Sequence, residues 1–158
     1  MQVLLATPHD IPAWYALSAE YDRYVRPLTE NFALWYEGDA VSIAFSEYTK
    51  TKIAQKEAIM ATHDDGSCLG FAAFSKKHNR ITFFAVTHSA DPHIVGEALL
   101  SAALAHLNRA IPLSIRLIAS PAPWIAHHKS LLIRAGFQPA GDTLENGVPV
   151  HIFATSPD

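Results

Sequence analysis

Apolar residues recur at helical spacing near the start of the chain and at strand spacing in its middle. Over residues 10–25 they fall three or four positions apart, which predicts an amphipathic helix that ends before Pro27. From residue 58 onward, short runs rich in β-branched and aromatic residues alternate with turn residues at 64–67 and 76–80. Residues 58–86 are therefore predicted to form an antiparallel meander of three strands.

The second half of the chain alternates between helical and extended patterns. The predicted elements are helices over 97–108 and 123–135 and strands over 113–119, about 137–143 and about 148–155. A helix between the strands 81–86 and 113–119 implies a parallel crossover. The predicted fold class is α/β (α+β), with a mixed, mostly antiparallel sheet of about seven strands and flanking helices.

Residues 28–57 carry a less regular pattern. It predicts a loop or short helix over 28–45 and a polar helix over 46–57. The aromatic residues of this part could line a substrate pocket or pack in the core, and both interpretations stay open. These residues are Phe32, Trp35, Tyr36, Phe45 and Tyr48.

Length and charge narrow the classes of function. The 158 residues suit one domain, 1–158. Twelve basic and fifteen acidic residues give a net charge of −3, which excludes a dominant nucleic-acid-binding role because such affinity needs many neutralised phosphates. No apolar run approaches the ~20 residues of a membrane helix, and the first residues lack the basic-then-apolar layout of a signal peptide. We expect a cytoplasmic protein without a membrane partner.

The cysteine and histidine content predicts no metal site. Cys68 is the single cysteine, so neither an internal disulfide nor a CxxC motif can form. The nine histidines show no HExxH spacing and have no paired cysteines beside them.

The junction between the strand that ends at Val86 and the helix predicted to open near Gly96 is the most informative segment. A helix N-terminus exposes unpaired N–H groups and the positive end of the helix dipole, so it can hold a phosphate. The alternative is an ordinary strand-to-helix connection. Neither a Walker-type lysine nor a GxGxxG motif is present, which leaves nucleotide hydrolysis and hydride transfer without support.

The order of elements and three local motifs resemble the GNAT acyltransferase superfamily. The motifs are the strand 81–86, the segment 91–100 and the Gly-Phe pair at 136–137. In the ungapped register, Gly96 matches the second glycine of the family's phosphate loop, while Asp91 and Ile94 stand in place of its Arg/Gln and its first glycine. A register shifted by two places His93, Gly96 and Ala98 on these positions, but it requires an insertion.

This resemblance implies that acetyl-CoA, or another acyl-CoA, is the co-substrate and binds where the fourth and fifth strands of the sheet part. The pantetheine arm would pair with the backbone of Phe84, Ala85 and Val86. The pyrophosphate would lie on main-chain N–H groups of the loop and helix start, which comprise Asp91, Pro92, His93, Ile94, Val95, Gly96 and Glu97. Because a carboxylate near a pyrophosphate is unfavourable, Asp91 is expected to point away or to cap the helix.

The resemblance further implies transfer of the acetyl group to an amine of a small molecule or a peptide. The family's carboxylate base on the fourth strand has no counterpart near Arg80 and Ile81, so His88 is the candidate base, with Glu37 or Glu47 as alternatives. The family's tyrosine acid is replaced by Leu132, which leaves His128, one turn earlier, or a water molecule to protonate the leaving thiolate.

A second hypothesis comes from the same departures from the family motif. The chain could be a catalytically inactive acyl-CoA-binding sensor or a protein-interaction module. Exposed strand edges and aromatic residues are compatible with a homodimer.

Overall fold

The computed structural model describes residues 1–25, 36–37, 40–41, 43–119, 123–145 and 148–156. The described helices are α1 (Ile11–Val25), α2 (Ile43–Ala54), α3 (Pro92–Leu104) and α4 (Pro123–Arg134), with a 3₁₀ turn over Pro8–Asp10. The described strands are β1 (Gln2–Leu5), β2 (Tyr36–Glu37), β3 (Ala40–Val41), β4 (Ala58–Thr62), β5 (Cys68–Ser75), β6 (Arg80–Val86), β7 (Ser114–Ile118), β8 (Gln138–Glu145) and β9 (Val148–Ala154). None of these helices is both long and apolar enough to cross a membrane.

Seven of the strands form one sheet, in the order β1-β4-β5-β6-β7-β9-β8, while β2 and β3 pair separately. Within the described residues, β6 and β7 make the single parallel pairing of this sheet. Helix α3 connects these two strands, as the crossover predicted. The predicted fold class, a mixed and mostly antiparallel sheet of about seven strands with flanking helices, is confirmed.

Helices cover both faces of the sheet near its centre. On one face, Trp14 of α1 stacks on Phe71 of β5, with ring centroids 5.1 Å apart, and meets Phe83 of β6 edge to face. On the other face, Phe84 of β6 packs against the ring of His128 of α4. Because successive side chains of a strand point to opposite faces, Phe83 and Phe84 anchor the two layers.

The aromatic residues of α2 belong to the core. Phe45 is 3% exposed and packs against Trp14 and Phe83, and Tyr48 also contacts Trp14. For these two residues the structure supports the core interpretation over a substrate pocket. Phe32 and Trp35, together with the side chain of Tyr36, lie outside the described residues.

The start of α3 corrects the predicted helix over 97–108. The helix begins at Pro92, because Asp91 is its N-cap, and it ends at Leu104. The Asp91 carboxylate accepts hydrogen bonds from the N–H groups of His93 (2.9 Å) and Ile94 (3.4 Å). Proline suits the first helical position, where its missing N–H has no intrahelical partner to lose. The Asp91-Pro92 pair is a signal for the start of a helix. The leucine pattern begins further along the chain and therefore predicted a start that is too late.

A buried ion pair ties the end of α2 to the sheet. The Lys52 Nζ donates to the carbonyl oxygen of Phe74 (2.7 Å) and to Glu57 Oε1 (3.3 Å). The second carboxylate oxygen of Glu57 accepts from the N–H of Lys76 at 2.7 Å. Both charged side chains are about nine-tenths buried, at 11% and 9% exposure. Removing one partner would therefore leave the other charge desolvated and unpaired.

We expect Lys52→Met to lower the free energy of unfolding by about 3 kcal/mol, because it strands the Glu57 carboxylate in a buried position. Urea denaturation followed by circular dichroism measures this. The exposed Lys50 on the same helix supplies the control, and Lys50→Met should change the free energy by less than ~0.5 kcal/mol. A loss below ~1 kcal/mol for Lys52→Met, the range of exposed pairs, would contradict a desolvated pair.

Candidate active site

An opening in the sheet lies between β6 and β7. Their parallel register comprises Arg80–Ser114 and Ile81–Ile115, although β6 continues to Val86 and β7 to Ile118. β7 stays in register with β9 as far as Ile118. The pairing of β5 with β6 shifts by one residue at Thr82, which forms a bulge and increases the local twist. The two central strands therefore leave their common ladder toward their carboxyl ends, where an extended ligand could meet main-chain groups.

The strand residues predicted to contact the donor have buried side chains. Phe84 and Val86 are 7% and 1% exposed, and Ala85 is fully buried between them. Their side chains belong to the core, so a ligand in the opening would contact their main chain. This matches the kind of contact that the sequence predicted, and its occurrence stays a prediction.

The start of α3 offers fewer free N–H groups than the sequence predicted. Asp91 caps the helix, as expected, and it therefore occupies the N–H groups of His93 and Ile94. The N–H of Val95 bonds to the carbonyl oxygen of Asp91 at 3.1 Å. An anion bound to this terminus would have to displace the Asp91 carboxylate, and the exposed Glu97 adds a further negative charge.

Gly96 lies within α3, not in a loop before it, and it has a packing role; its contact with a phosphate stays a prediction. A Cβ added here would come within 2.4 Å of Leu131 Cδ2 on α4 and 3.4 Å of Phe84 Cζ on β6. The absence of a side chain lets α3 approach both neighbours closely. The predicted loop 91–97 is consequently a helix cap followed by the first turns of α3.

Cationic and titratable side chains meet between α3 and α4. The guanidinium of Arg134 lies 3.3 Å from His93 Nδ1, and the rings of His93 and His127 are 5.7 Å apart. Beside them is a cavity of about 260 Å³ whose lining includes Glu97, Arg109 and Arg134. The sequence pointed to His93 but to neither arginine. No local motif marks them, because they reach this place through the packing of α4 on α3.

His88, the predicted base, is paired with a carboxylate that the sequence analysis also missed. His88 follows β6, and its Nδ1 contacts Oε1 of Glu20, which lies 68 residues earlier on α1. The same oxygen accepts a hydrogen bond from the hydroxyl of Thr87 at 3.1 Å. The side chain of His88 is 53% exposed, whereas that of Glu20 is 16% exposed. The ring is thus open to a reactant while its partner is sheltered.

A cavity of about 340 Å³ lies next to this pair. It is lined by Ala13, Ala16, Leu17, Glu20, Cys68 and Thr87. Burial raises the pKa of the Cys68 thiol to about 11, so this side chain stays neutral. Among the described residues of the lining, Glu20 alone carries a charge.

The other predicted catalytic residues lie on other elements than His88. His128 is fully buried on α4, and burial, followed by the charge of His127, lowers the pKa of its ring to about 4. His128 is therefore neutral at physiological pH, which argues against its predicted role as the acid. Glu47 is exposed on α2, whereas its neighbour Tyr48 bonds to the hydroxyl of Thr82 at 2.6 Å. The side chain of Glu37 lies outside the described residues.

We expect His128 to make the fold sensitive to acid. Its pKa is about 4 when folded and 6.5 when exposed, so below pH 6.5 the unfolded chain binds a proton that the folded chain does not. Stability therefore falls as the pH drops from 6.5, and the loss reaches ~3 kcal/mol near pH 4. Urea titrations between pH 7 and 4 measure it. His128→Gln should remove this slope and the exposed His78→Gln should not; equal slopes in all three proteins would contradict the assignment.

Comparison with known proteins gives matches in structure alone. No family model matches the sequence, and no curated protein matches it. An N-acetyltransferase from Staphylococcus aureus superposes with a TM-score of 0.67 at 19% identity, over 98% of this chain and 97% of that one. A GNAT-family acetyltransferase from Streptococcus agalactiae gives a TM-score of 0.68 at 14% identity, over 99% and 95%.

A third similar structure was solved with a ligand. It is a GNAT superfamily phosphinothricin acetyltransferase from Sinorhizobium meliloti in complex with acetyl-CoA, with a TM-score of 0.67 at 17% identity, over 99% of this chain and 88% of that one. These superpositions cover nearly the full length of the chain. This chain has the fold of the GNAT N-acetyltransferase superfamily.

Proposed function

We propose that this chain is an acyl-CoA-dependent N-acyltransferase that moves the acetyl group of acetyl-CoA to an amine of a small molecule or a peptide. The observation that carries the proposal is the early end of the β6–β7 register beside the start of α3. This opening gives an extended donor a place between two strands, and its location in the GNAT fold supports an acyl-CoA as that donor.

The phosphates of the donor would be held mainly by side chains in this protein. Asp91 already occupies two N–H groups at the start of α3, so the main chain there offers little to an anion. His93, His127 and Arg134 stand next to that terminus and present cationic or protonatable groups. A guanidinium forms strong, charge-assisted hydrogen bonds with phosphate oxygens. Arg134 is thus the residue best placed to offset the charge of Asp91.

The reaction requires one base and little help for the leaving group. The amine nitrogen attacks the thioester carbon, an N–C bond forms, the C–S bond breaks, and the base takes the proton that the amine loses. The thiolate of CoA, whose conjugate thiol has a pKa near ~8.5 if it resembles cysteine, leaves without an acid and then takes up a proton from water. Leu132 in place of an acidic group is compatible with this scheme. His88 is the base that we propose.

The cavity beside His88 suits the body of a small acceptor. Its walls are short apolar side chains from α1 and the neutral thiol of Cys68, and one carboxylate, Glu20, faces it. A negative charge in an otherwise apolar cavity favours a basic amine, which attacks only after its ammonium form has lost a proton to water, over an anionic compound. This supports small aliphatic amines as the first acceptors to examine.

Two measurements test the proposed function. Calorimetric titration with acetyl-CoA should show saturable binding, with ATP as a control that does not bind. Incubation with acetyl-CoA and a panel of primary amines should release free thiol. Binding without turnover for any amine would favour the inactive acyl-CoA-binding module, an alternative that the Asp91 cap and the missing strand carboxylate support. No binding at millimolar acetyl-CoA would overturn the proposed function.

We expect Arg134→Ala to weaken acetyl-CoA binding by about tenfold, or ~1.4 kcal/mol, because one charge-assisted phosphate contact is lost. The exposed Lys129 on the same helix supplies the control, and Lys129→Ala should leave the affinity near that of the wild type. Calorimetry measures both. Equal affinities in the three proteins would remove Arg134 from the donor site.

We expect His88→Gln to lower kcat by about 10²-fold or more, since proton transfer to a positioned base contributes factors of this size. Affinity for acetyl-CoA should stay unchanged, because the base contacts the acceptor. Steady-state kinetics and calorimetry separate the two effects. A variant with the kcat of the wild type would show that His88 is not the base.

A further inference from the structure

The pairing of Glu20 with His88 joins two distant parts of the chain at the carboxyl end of β6. Glu20 lies on α1 and His88 lies in the connection from β6 to α3, so the contact exists only in the folded chain. An ionised carboxylate can only accept a hydrogen bond, and the contact is made by Nδ1 of the ring. The proton of a neutral His88 therefore resides on Nδ1.

We propose that Glu20 is a positioning residue that holds His88 as the Nδ1–H tautomer, so that the lone pair of Nε2 is available to take the acceptor's proton. The inference rests on the proposed function for its catalytic consequence. A histidine with the opposite tautomer would present an N–H where the base needs a lone pair. The carboxylate thus decides whether a neutral His88 can act.

The position of Glu20 is itself restrained. Thr87 donates its hydroxyl to the same carboxylate oxygen at 3.1 Å, and the adjacent main chain is fixed because the N–H of Thr87 bonds to the carbonyl oxygen of Leu69 at 3.0 Å. With 16% of its side chain exposed, Glu20 is screened from water more than His88 is. A partly sheltered, hydrogen-bonded carboxylate orients a ring better than a freely moving surface side chain does.

A second carboxylate–histidine pair in the protein provides a matched comparison. Asp142 on β8 contacts His151 Nδ1 on β9 at 2.5 Å, and both side chains are open to solvent, at 76% and 42% exposure. This pair spans the last two strands of the sheet order, and β7 separates them from β6. Its chemistry resembles that of the Glu20–His88 pair, but neither of its residues lines the cavity of the proposed acceptor site.

The test combines nitrogen NMR of the ring with kinetics. In protein labelled with ¹⁵N-histidine, the wild type should show His88 in the Nδ1–H form at a pH where the ring is neutral, and Glu20→Ala should move it toward the Nε2–H form. The same variant should lower kcat by about 10–100-fold, less than His88→Gln does because the ring remains. Affinity for acetyl-CoA and the melting temperature should stay near those of the wild type.

The double variant and the matched pair sharpen the result. At saturating amine, Glu20→Ala should add no further loss of kcat to His88→Gln, because Glu20 acts on the proton transfer through His88, whereas its charge in the acceptor cavity affects KM. Asp142→Ala should alter the tautomer of His151 and leave kcat unchanged. If Glu20→Ala leaves the His88 tautomer as it was, or changes the tautomer without lowering kcat, the proposal is overturned.

The two parts of the experiment also separate this proposal from the proposed function. A wild type that turns over no amine would overturn the proposed function, and with it the catalytic consequence of Glu20. The NMR comparison would still decide whether Glu20 sets the tautomer. Turnover together with an Nε2–H form of His88 in the wild type would overturn the positioning role alone.

Discussion

The short register between β6 and β7 is the constraint on which the rest of the site depends. β6 pairs with β5 as far as Gly70–Val86, but its parallel register with β7 ends at Ile81–Ile115. The long pairing with β5 holds β6 in the sheet while β7 follows β9. Gly70 on β5 lets β6 and α3 pack closely against it, because a Cβ there would lie 2.7 Å from both the carbonyl oxygen of Ala85 and Leu99 Cδ1. The sheet can therefore open at its centre without losing its core.

The electrostatics of α3 distinguish this chain from a simple helix-terminus anion site. The Asp91 carboxylate satisfies the first N–H groups of the helix from within the chain, which stabilises the helix start. The same bonds reduce what the terminus can offer to a phosphate. Arg134 meets His93 beside it, so a cationic side chain stands where the main chain offers few donors. The stability of α3 and the affinity for a phosphate ligand are thus in competition at one residue.

Much of the fold could be predicted because it depends on local patterns. The amphipathic pattern of α1, the turn residues around Gly66 and the alternation along β7 each reflect neighbours in the sequence, and the structure agrees with these predictions. The start of α3 was predicted too far along the chain. The leucine pattern indicates which face of the helix is buried, whereas the cap at Asp91 marks the N-terminus of the helix. The packing role of Gly96 was not foreseen, since a glycine that permits close packing and one that binds an anion look alike in a sequence.

By itself, the sequence determined the order of the elements, the mixed sheet and the parallel crossover, because periodicity, turn chemistry and connection length act over short distances. It also placed His88 just after the central strand, but it left His93 in the loop before the predicted helix. Only the tertiary structure decided that Glu20 contacts His88, that Arg134 reaches His93, and that His128 is buried and neutral. These facts depend on how helices far apart in the chain pack against the same sheet, and no local pattern encodes a contact between residues that meet only after that packing.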